Sequence, residues 1–477
     1  MKIAMIASEA NPLVKTGGLA DVVYSLSKEL ALLGQEVIII LPYYGNIKGT
    51  IKSKVELICS YTVRLSWRQA EARIYKTGID GITYYLIDNE QYFNRGHLYG
   101  DYDDGERFAF FTVAAKELFS HIQFTPSIIH VHDWQPGMLP CLIKEEKPIS
   151  RYFAKTKFVF TIHNPAFQGL YSKSILGDFY GLDDSLFETG IVRFDGQVST
   201  LKTAIIYSDK ITTVSPTHRE ELLTPQHSMG LWNVMRLREW DFAGFLNGID
   251  VAEFNPVADL HIFKTYNIDN IKEGKRVNKE SFMKERGLKN FDAPLFGFVS
   301  RLTWQKGIDV LLPACYELVQ RGANIAVLGS GEYNAEIELE KLRARYPDQV
   351  TIYIGYNEEF AHKIYAASDY FLMPSLFEPC GISQMIAQRY GTPPIVRRTG
   401  GLKDSVIGYD LHNLDVADGI SFDEYSAHAF KNTCIYALEV YNNVVAFDTL
   451  RKNAMKVDNS WAKSARLYLG LYENIKR

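Results

Sequence analysis

A lysine and two glycines occupy the junction between the first predicted strand and the first predicted helix. The sequence KIAMIA (2–7) predicts a strand, and Lys15, Gly17 and Gly18 follow it just before an apolar helical pattern begins. Two glycines allow a backbone to approach a ligand closely, and a helix N-terminus presents free N–H groups and the positive end of its dipole. With the charge of Lys15, this junction suits an anion such as a phosphate, although a solvated strand-to-helix turn would have the same residues.

Polar residues also follow predicted strands in the second half of the chain. Arg301 and Lys306 come just after the strand LFGFVS, which ends at Ser300, and Glu378 comes after the strand YFLMPS. Gly381 to Ser383, with Ile382 between them, then open a helical pattern whose N–H groups form a second anion cradle. Two cations and a helix N-terminus suit a diphosphate, and an acidic residue near such a loop often binds ribose hydroxyls.

Two residues with aromatic rings at strand ends each have two interpretations. Tyr356 follows the strand VTIYIG, and its ring would either stack on a purine or pack within the fold. His163 and the adjacent Asn164 follow the strand FVFTI. A histidine at this place is either a core residue with its hydrogen bonds satisfied or part of a site, because ligands of parallel α/β sheets bind at the carboxyl ends of the strands.

Two further groups look like metal ligands but have simpler explanations. HVHDW (130–134) contains two histidines, but a strand places Asp133 on the opposite side from both, and no third ligand occurs at metal spacing. DYDD (101–104) precedes a helical pattern, where the helix dipole favours acidic residues. We therefore expect no metal site, and Asp133 fits the binding of sugar hydroxyls.

Composition restricts the class of protein. The chain has 477 residues, 47% of them hydrophobic, and its formal net charge of −4 implies no broad attraction to nucleic acid. Five scattered cysteines form no disulfide framework, which favours a reducing compartment. The N-terminus lacks a signal-peptide layout, and no apolar run is long enough for a membrane span. These features predict a cytoplasmic protein without membrane or nucleic-acid partners.

Short apolar runs alternate with amphipathic stretches along most of the chain, which predicts an α/β fold with parallel strands. About eleven such runs exceed an ordinary single sheet, so two sheets in two domains are expected. The boundary is predicted near FLNGIDVAEFNP (245–256), because Asn-Gly and Asn-Pro mark turns there.

The residues named above belong to a larger set of motifs that resembles one family. In order and over nearly the whole chain, the sequence is similar to the bacterial glycogen synthases and their relatives, the plant starch synthases. The matching segments are KTGGLADV (15–22), HDW (132–134), TIHNPAFQG (161–169), TTVSPT (212–217), LNGID (246–250), SRLTWQKG (300–307), IGY (354–356), FEPCGISQMIA (377–387), VRRTGGLKDSV (396–406) and SWAKSARLYLGLY (460–472).

The resemblance implies the glycosyltransferase B (GT-B) fold, with two Rossmann-like domains facing across a cleft. An acceptor-side domain would span 1–247, a nucleotide-sugar-binding domain 248–457, and a C-terminal helix returning to the first domain 458–477. The implied reaction transfers glucose from ADP-glucose to the non-reducing end of an α-1,4-glucan such as glycogen or a maltooligosaccharide, retaining the α configuration and releasing ADP. No cofactor and no metal are implied, since ADP-glucose is a substrate.

The resemblance also implies roles for individual residues. From the first domain, Lys15, Gly17 and Gly18 would meet the donor phosphate and sugar, and His163 would lie close to the reacting carbon. The implied roles in the second half are neutralisation of the diphosphate, contact with ribose or glucose, phosphate binding through backbone N–H groups and cover for the adenine. Arg301 and Lys306, beside Ser300, would neutralise the diphosphate, and Glu378 would contact ribose or glucose. The backbone N–H groups of Gly381, Ile382 and Ser383 would bind phosphate. Tyr356 would cover the adenine.

Asp133, Asn164 and Asn247 would hold glucose hydroxyls, and Cys380 is either a donor-site residue or a small packing residue. Some family motifs differ here: Leu376 stands where many relatives have arginine, which leaves acceptor preference more open than donor chemistry. Two alternatives stay open. One is a retaining transferase of the same fold with another nucleotide sugar or acceptor. The other is a silent glucan- or nucleotide-binding protein, which predicts the loss of at least one of five residues that are all present: Lys15, His163, Arg301, Lys306 and Glu378.

Overall fold

The computed structural model describes residues 1–47 and 55–476, which form two compact units. The first unit contains Met1–Val214, Arg219–Phe245 and Ser464–Arg477, and the second contains Ser215–His218 and Leu246–Lys463. Residues 48–54 of the predicted first domain and residue 477 of the predicted final helix lie outside the described residues.

The first unit is built on a mixed sheet of nine strands in the order β12-β11-β7-β6-β1-β2-β5-β4-β3. Neighbours from β12 to β5 pair in parallel, whereas β3, β4 and β5 pair antiparallel. A small second sheet has the order β8-β10-β9. The strands are β1 Lys2–Ile6, β2 Glu36–Pro42, β3 Glu56–Leu65, β4 Arg68–Ile79, β5 Ile82–Asp88, β6 Ile128–His132, β7 Lys157–Ile162, β8 Leu170–Tyr171, β9 Arg193–Phe194, β10 Gln197–Ser199, β11 Lys210–Thr213 and β12 Phe242–Gly244.

The second unit contains a six-stranded sheet in which every neighbouring pair is parallel, in the order β15-β14-β13-β16-β17-β18. Its central strands β13 and β16 are almost entirely buried, as continuous apolar runs predict. The strands are β13 Leu295–Val299, β14 Asn324–Gly329, β15 Val350–Ile354, β16 Tyr370–Met373, β17 Pro394–Arg397 and β18 Ile420–Phe422.

Helices connect these strands in both units. The predicted first helix spans Gly18–Leu32 and buries Leu19, Val22, Val23, Leu26 and Leu30 as one face. The other α-helices are Glu90–Phe93, Asp104–His121, Leu139–Glu145, Ser185–Glu188, Thr200–Tyr207, Pro216–Leu222, Trp232–Leu237, Ile271–Arg286, Ile308–Gln320, Tyr333–Arg345, Glu358–Ala367, Ser383–Arg389, Gly400–Ser405, Ala427–Asn442, Val444–Lys456 and Trp461–Lys476. Shorter π and 3₁₀ turns span Leu176–Tyr180, Glu239–Asp241 and Trp304–Lys306. Within the described ranges, no helix has both the length and the apolar character that a membrane crossing needs.

Candidate active site

The junction after β1 presents Lys15 and its glycines at the start of the helix Gly18–Leu32. Lys15 is half-exposed, and its Nζ lies 2.8 Å from Asp21 Oδ2 in the first turn of that helix. Burial raises the pKa of Asp21, although Lys15 acts in the opposite direction. A Cβ added at Gly17 or Gly18 would meet no atom within 4 Å, so the unit's own packing does not require glycine at either position.

A buried carboxylate, which sequence reasoning missed, fixes the shape of this junction. Glu9 is 4% exposed and accepts hydrogen bonds from Thr16 Oγ1 at 2.6 Å and from Tyr99 Oη at 2.6 Å. The backbone N–H of Thr16 donates to the same carboxylate. An acidic residue two positions after an apolar strand was the available signal, because a charge there is rarely buried without partners.

Asp133 and His163 lie together at the carboxyl ends of β6 and β7. Asp133 Oδ1 accepts a hydrogen bond from the backbone N–H of His163 at 2.7 Å. Asp133 has a φ of 56°, in the left-handed region that non-glycine residues seldom adopt. Such a conformation at a strand end is often found at functional sites. Burial raises the pKa of Asp133 to about 7, even though the N–H groups of His163 and Asn164 lower it.

Three neighbouring histidines in the first unit, His130, His132 and His163, are uncharged. His163 Nε2 lies 3.1 Å from His132 Nδ1, and the rings of His132 and His130 have centroids 4.1 Å apart. Burial lowers the pKa of His163 and of His130 to about 3 and lowers that of His132 strongly, so all three are uncharged near neutral pH. His130 shares hydrogen bonds with Tyr472 Oη at 2.7 Å and Thr161 Oγ1 at 2.6 Å. The nitrogens of His130 are therefore occupied by hydroxyl groups.

The acidic segment DYDD is explained by arginines and by a helix start. Asp101 and Asp104 each lie 2.7 Å from the buried Arg107, and Asp103 lies 2.6 Å from Arg95. The helix Asp104–His121 begins in this segment, as expected from the sequence.

In the second unit, Lys306 and Glu378 form an ion pair that joins the loops after β13 and β16. Lys306 Nζ lies 2.5 Å from Glu378 Oε2, and Ser375 Oγ donates to the same oxygen at 3.1 Å. The Glu378 side chain is 7% exposed and that of Lys306 is 16% exposed. Arg301 lies elsewhere in this loop: its Nη2 donates to Gln305 Oε1 at 3.4 Å, on the surface.

The segment RRTGG (397–401) runs from the end of β17 into the helix Gly400–Ser405 and supports this pair through its two glycines. A Cβ at Gly400, whose φ is +44°, would overlap with the carbonyl oxygen of Glu378, and one at Gly401 would overlap with that of Cys380. The N–H of Gly401 donates to the backbone carbonyl oxygen of Glu378 at 3.0 Å. Arg397 Nε donates to the carbonyl of Ser375 at 2.9 Å. The RRTGG segment therefore fixes the backbone of the loop that contains Glu378.

The remaining predicted residues of the second unit divide into two environments. Asn247 and Cys380 are buried together: the Asn247 backbone hydrogen-bonds the Cys380 thiol, whose pKa burial raises to about 12. Asn247 Oδ1 is buried and has no hydrogen-bond partner among the described residues. Tyr356, by contrast, is 85% exposed, as a ring available for stacking on a ligand would be.

The predicted anion cradle lies at the start of a short helix. Gly381 has a φ of 76°, Ile382 is the N-cap, and the helix begins at Ser383 and ends at Arg389. Ser300 begins the loop after β13, and its N–H donates to the carbonyl of Leu328 at 3.1 Å. Of the predicted residues in the second unit, the structure thus joins Lys306 with Glu378 and Asn247 with Cys380.

Comparison with known proteins identifies the family. A model of the starch synthase catalytic domain matches residues 2–237, and a model of group 1 glycosyl transferases matches residues 279–453. The glycogen synthase of Anoxybacillus flavithermus is 43% identical over 476 residues, which cover 100% of this chain and 98% of the relative. The glycogen synthase of Clostridium beijerinckii is 42% identical over 477 residues, covering 100% of this chain and 99% of that protein. The chain belongs to the glycogen synthase family.

Solved structures agree with membership in the glycogen synthase family. The catalytic domain of starch synthase IV from Arabidopsis thaliana, solved with ADP and acarbose, has a TM-score of 0.89 and 32% identity, covering 100% of this chain and 99% of that one. The sucrose-phosphate synthase of Thermosynechococcus elongatus, with a TM-score of 0.59 and 18% identity, shares the fold. The predicted GT-B fold with two Rossmann-like units is confirmed, and so is the prediction of an enzyme of this family, a glucosyltransferase that makes glucan.

Proposed function

We propose that the chain transfers glucose from ADP-glucose to the non-reducing end of an α-1,4-glucan, retaining the α configuration and releasing ADP. The observation that carries this proposal is the Lys306–Glu378 pair at the carboxyl ends of β13 and β16. Ligands of parallel α/β sheets bind at such strand ends. The pair there offers one positive and one negative group to a substrate that contains both phosphates and hydroxyls.

The physical role of Lys306 follows from the leaving group. When the bond between glucose and ADP breaks, negative charge develops on the diphosphate, and a fixed cation stabilises that charge in the transition state. Arg301 and the N–H groups at Gly381, Ile382 and Ser383 would add to this stabilisation. Glu378 holds Lys306 in place through the 2.5 Å contact and offers its other oxygen to ribose or glucose hydroxyls.

The first unit is proposed to act on the sugar. A carboxyl with a pKa near 7 at Asp133 either accepts or donates a hydrogen bond near neutral pH, which suits sugar hydroxyls. His163, uncharged beside it, would lie near the reacting carbon without adding a positive charge. Lys15 and the open space at Gly17 and Gly18 would receive the donor phosphate. Asn164 is a further proposed glucose contact of this unit, and Asn247, which belongs to the second unit, is another.

The leaving group also explains why this site needs no acid of the kind that glycosidases use. Those enzymes protonate a poor leaving group with a carboxylic acid. A diphosphate leaves without a proton if its charge is balanced, and we therefore propose that the reaction needs neither a metal nor a cofactor. ADP as donor nucleotide is supported by the Arabidopsis starch synthase structure, which was solved with ADP.

The product of the reaction tests the proposal. The enzyme would be given labelled ADP-glucose and an unlabelled maltooligosaccharide, and the product would be digested with an endo-acting α-amylase or with an exo-acting glucoamylase. We expect α-amylase to degrade the product and glucoamylase to release the label first, because the new glucose is added at the non-reducing end. A product that α-amylase does not digest would contradict the proposed linkage. Absence of transfer would favour the silent binding protein.

A further inference from the structure

Three side chains of the second unit bring ligand atoms together at a place unrelated to any residue named so far in the site. They are Glu253, Glu358 and His362, and one ligand atom from each lies within 4.8 Å of the other two. Glu358 and His362 are one turn apart in the helix Glu358–Ala367, so they share a face of that helix. Glu253 comes from the segment that follows Asn247.

One ring nitrogen of the histidine has hydrogen-bond partners, and the other has none among the described residues. His362 is 2% exposed, and its Nδ1 lies 2.8 Å from Asp259 Oδ2 and 3.2 Å from Tyr390 Oη. A carboxylate partner places the ring proton on Nδ1, which leaves the lone pair on Nε2. Nε2 is buried and has no hydrogen-bond partner within the described part of the chain. A buried nitrogen with no partner requires an explanation, and a bound cation provides one.

Neighbouring groups fix the direction of this lone pair. The ring of Phe254 stacks on His362 with centroids 5.0 Å apart and an interplanar angle of 21°. Asp259 also accepts hydrogen bonds from the hydroxyl of Tyr390 and, through Oδ1, from the N–H of His261 at 2.8 Å. A carboxylate that orients a histidine in this way is the usual support of a metal-binding histidine.

We propose that Glu253, Glu358 and His362 Nε2 bind one divalent first-row transition-metal ion of the Zn²⁺ or Mn²⁺ class. One imidazole nitrogen and two carboxylate oxygens suit such ions better than Mg²⁺, which prefers oxygen ligands alone. Both glutamates are exposed, so solvent gives an ion access and their side chains are able to close on it. The bound ion would tie the segment around Glu253 to the helix Glu358–Ala367 and stabilise the second unit.

Metal titration of the tag-free full-length protein tests this site. After treatment with a chelator, the protein would be titrated calorimetrically with ZnCl₂, MnCl₂ and MgCl₂, and its thermal unfolding would be followed with and without each ion. We expect one tight equivalent of Zn²⁺ or Mn²⁺ per chain, much weaker binding of Mg²⁺, and a higher unfolding temperature with the bound ion. Glu253→Gln and Glu358→Gln should each weaken binding at least tenfold.

Glu359→Gln is the matched control, because Glu359 is the exposed neighbour of Glu358 and lies 2.8 Å from Lys363 instead. It should bind the ion as the unaltered protein does. His362→Gln should abolish binding, but the glutamate variants keep the test valid if that variant does not fold. Absence of a tight equivalent, or equal binding by the unaltered protein and both glutamate variants, would overturn the proposal.

Discussion

At the scale of single residues, Lys306 and Glu378 depend on each other. Their charged atoms are 2.5 Å apart and largely shielded from water, so removal of either side chain leaves the other charge without its partner. The same two groups are the ones we propose to face the donor. Their substitution therefore has to be assessed for folding and for catalysis separately.

Lys306→Ala should lower kcat by about 100-fold or more, the loss typical of a group that stabilises transition-state charge. Glu378→Ala should cause a similar loss, because Glu378 holds the Lys306 ammonium in place. Lys341→Ala is a suitable control, because Lys341 is exposed and pairs with Glu338 on its own helix. Initial rates and circular dichroism would be measured for all three variants. Normal activity in a correctly folded Lys306 or Glu378 variant would refute the site.

Gly18→Ala separates ligand binding from folding. A Cβ at Gly18 meets nothing within 4 Å, and alanine reduces the freedom of the unfolded chain, so stability should stay equal or rise by about 0.4–1 kcal/mol. If the donor phosphate occupies this space, KM for the donor should rise about tenfold, a loss of about 1.4 kcal/mol of binding. Gly177→Ala, at another position with open space, should leave KM unchanged. An unaltered KM in Gly18→Ala would exclude close approach of the donor.

Asp133 gives a prediction for the dependence of stability on pH. Its pKa is about 7 in the folded chain, above the ordinary value of 3.8, so between these values the folded state keeps a proton that the unfolded state releases. The contribution of Asp133 to stability therefore falls as pH rises towards and through 7. Asparagine does not ionise, so the stability of Asp133→Asn relative to the unaltered protein should rise by more than about 1 kcal/mol between pH 5 and pH 8.

Thermal unfolding at both pH values would measure this change. Any loss of hydrogen bonding in Asp133→Asn is the same at both pH values and cancels in the comparison. Asp183→Asn serves as control, because hydrogen bonds from Ser185 lower the pKa of Asp183 and keep it ionised over this range. A relative stability of Asp133→Asn that does not change with pH would show that the Asp133 carboxyl has an ordinary pKa.

At the scale of elements, a buried hydrogen bond joins the last helix to the sheet of the first unit. Tyr472 in the helix Trp461–Lys476 contacts His130 of β6 at 2.7 Å, and both residues are buried. Tyr472→Phe leaves His130 Nδ1 buried without a partner, which should lower the free energy of unfolding by about 1–3 kcal/mol. Urea unfolding would measure this loss of free energy of unfolding. Tyr102→Phe is the control, because Tyr102 is fully exposed. Equal losses in both variants would contradict the role of this bond.

Most of the parallel strands were predictable from sequence because they are mainly apolar runs. The three-residue parallel strands β12 and β18 were not predicted, because they are too short to form such a run. The strands β3 and β4 were not predicted, since they pair antiparallel at the sheet edge and alternate buried with exposed residues. Such strands lack the continuous apolar signal of a buried parallel strand. The sequence alone had suggested a purely parallel sheet, but the first sheet is mixed.

Residue types after β1, β7, β13 and β16 selected Lys15, His163, Lys306 and Glu378 as candidate site residues. The structure places them in the segments that follow those strands, and their roles stay predictions. Partners that are distant in sequence were not predictable: Glu9 orders the Lys15 loop through Tyr99, 90 positions away, and His362 binds Asp259, 103 positions away. Spacing within one segment carries no information about such contacts. The metal site proposed here was missed for this reason.

At the scale of the whole molecule, the chain is a two-unit GT-B enzyme of the glycogen synthase family, and the relatives described above align with it over 98–99% of their own length. Each unit presents its proposed site residues at the carboxyl ends of parallel strands. The choice of donor nucleotide decides the metabolic role, and we propose that the exposed Tyr356 takes part in that choice.

The most direct measurement of the central claim is nucleotide release in the presence of glycogen, with ADP-glucose and UDP-glucose supplied in parallel. Glucose incorporation into polymer would be measured in the same reactions. We predict ADP release with an equal amount of glucose incorporated, and a much lower rate with UDP-glucose. Release of nucleotide without incorporation, or faster transfer from UDP-glucose, would contradict the assignment of ADP-glucose as donor for glucan synthesis.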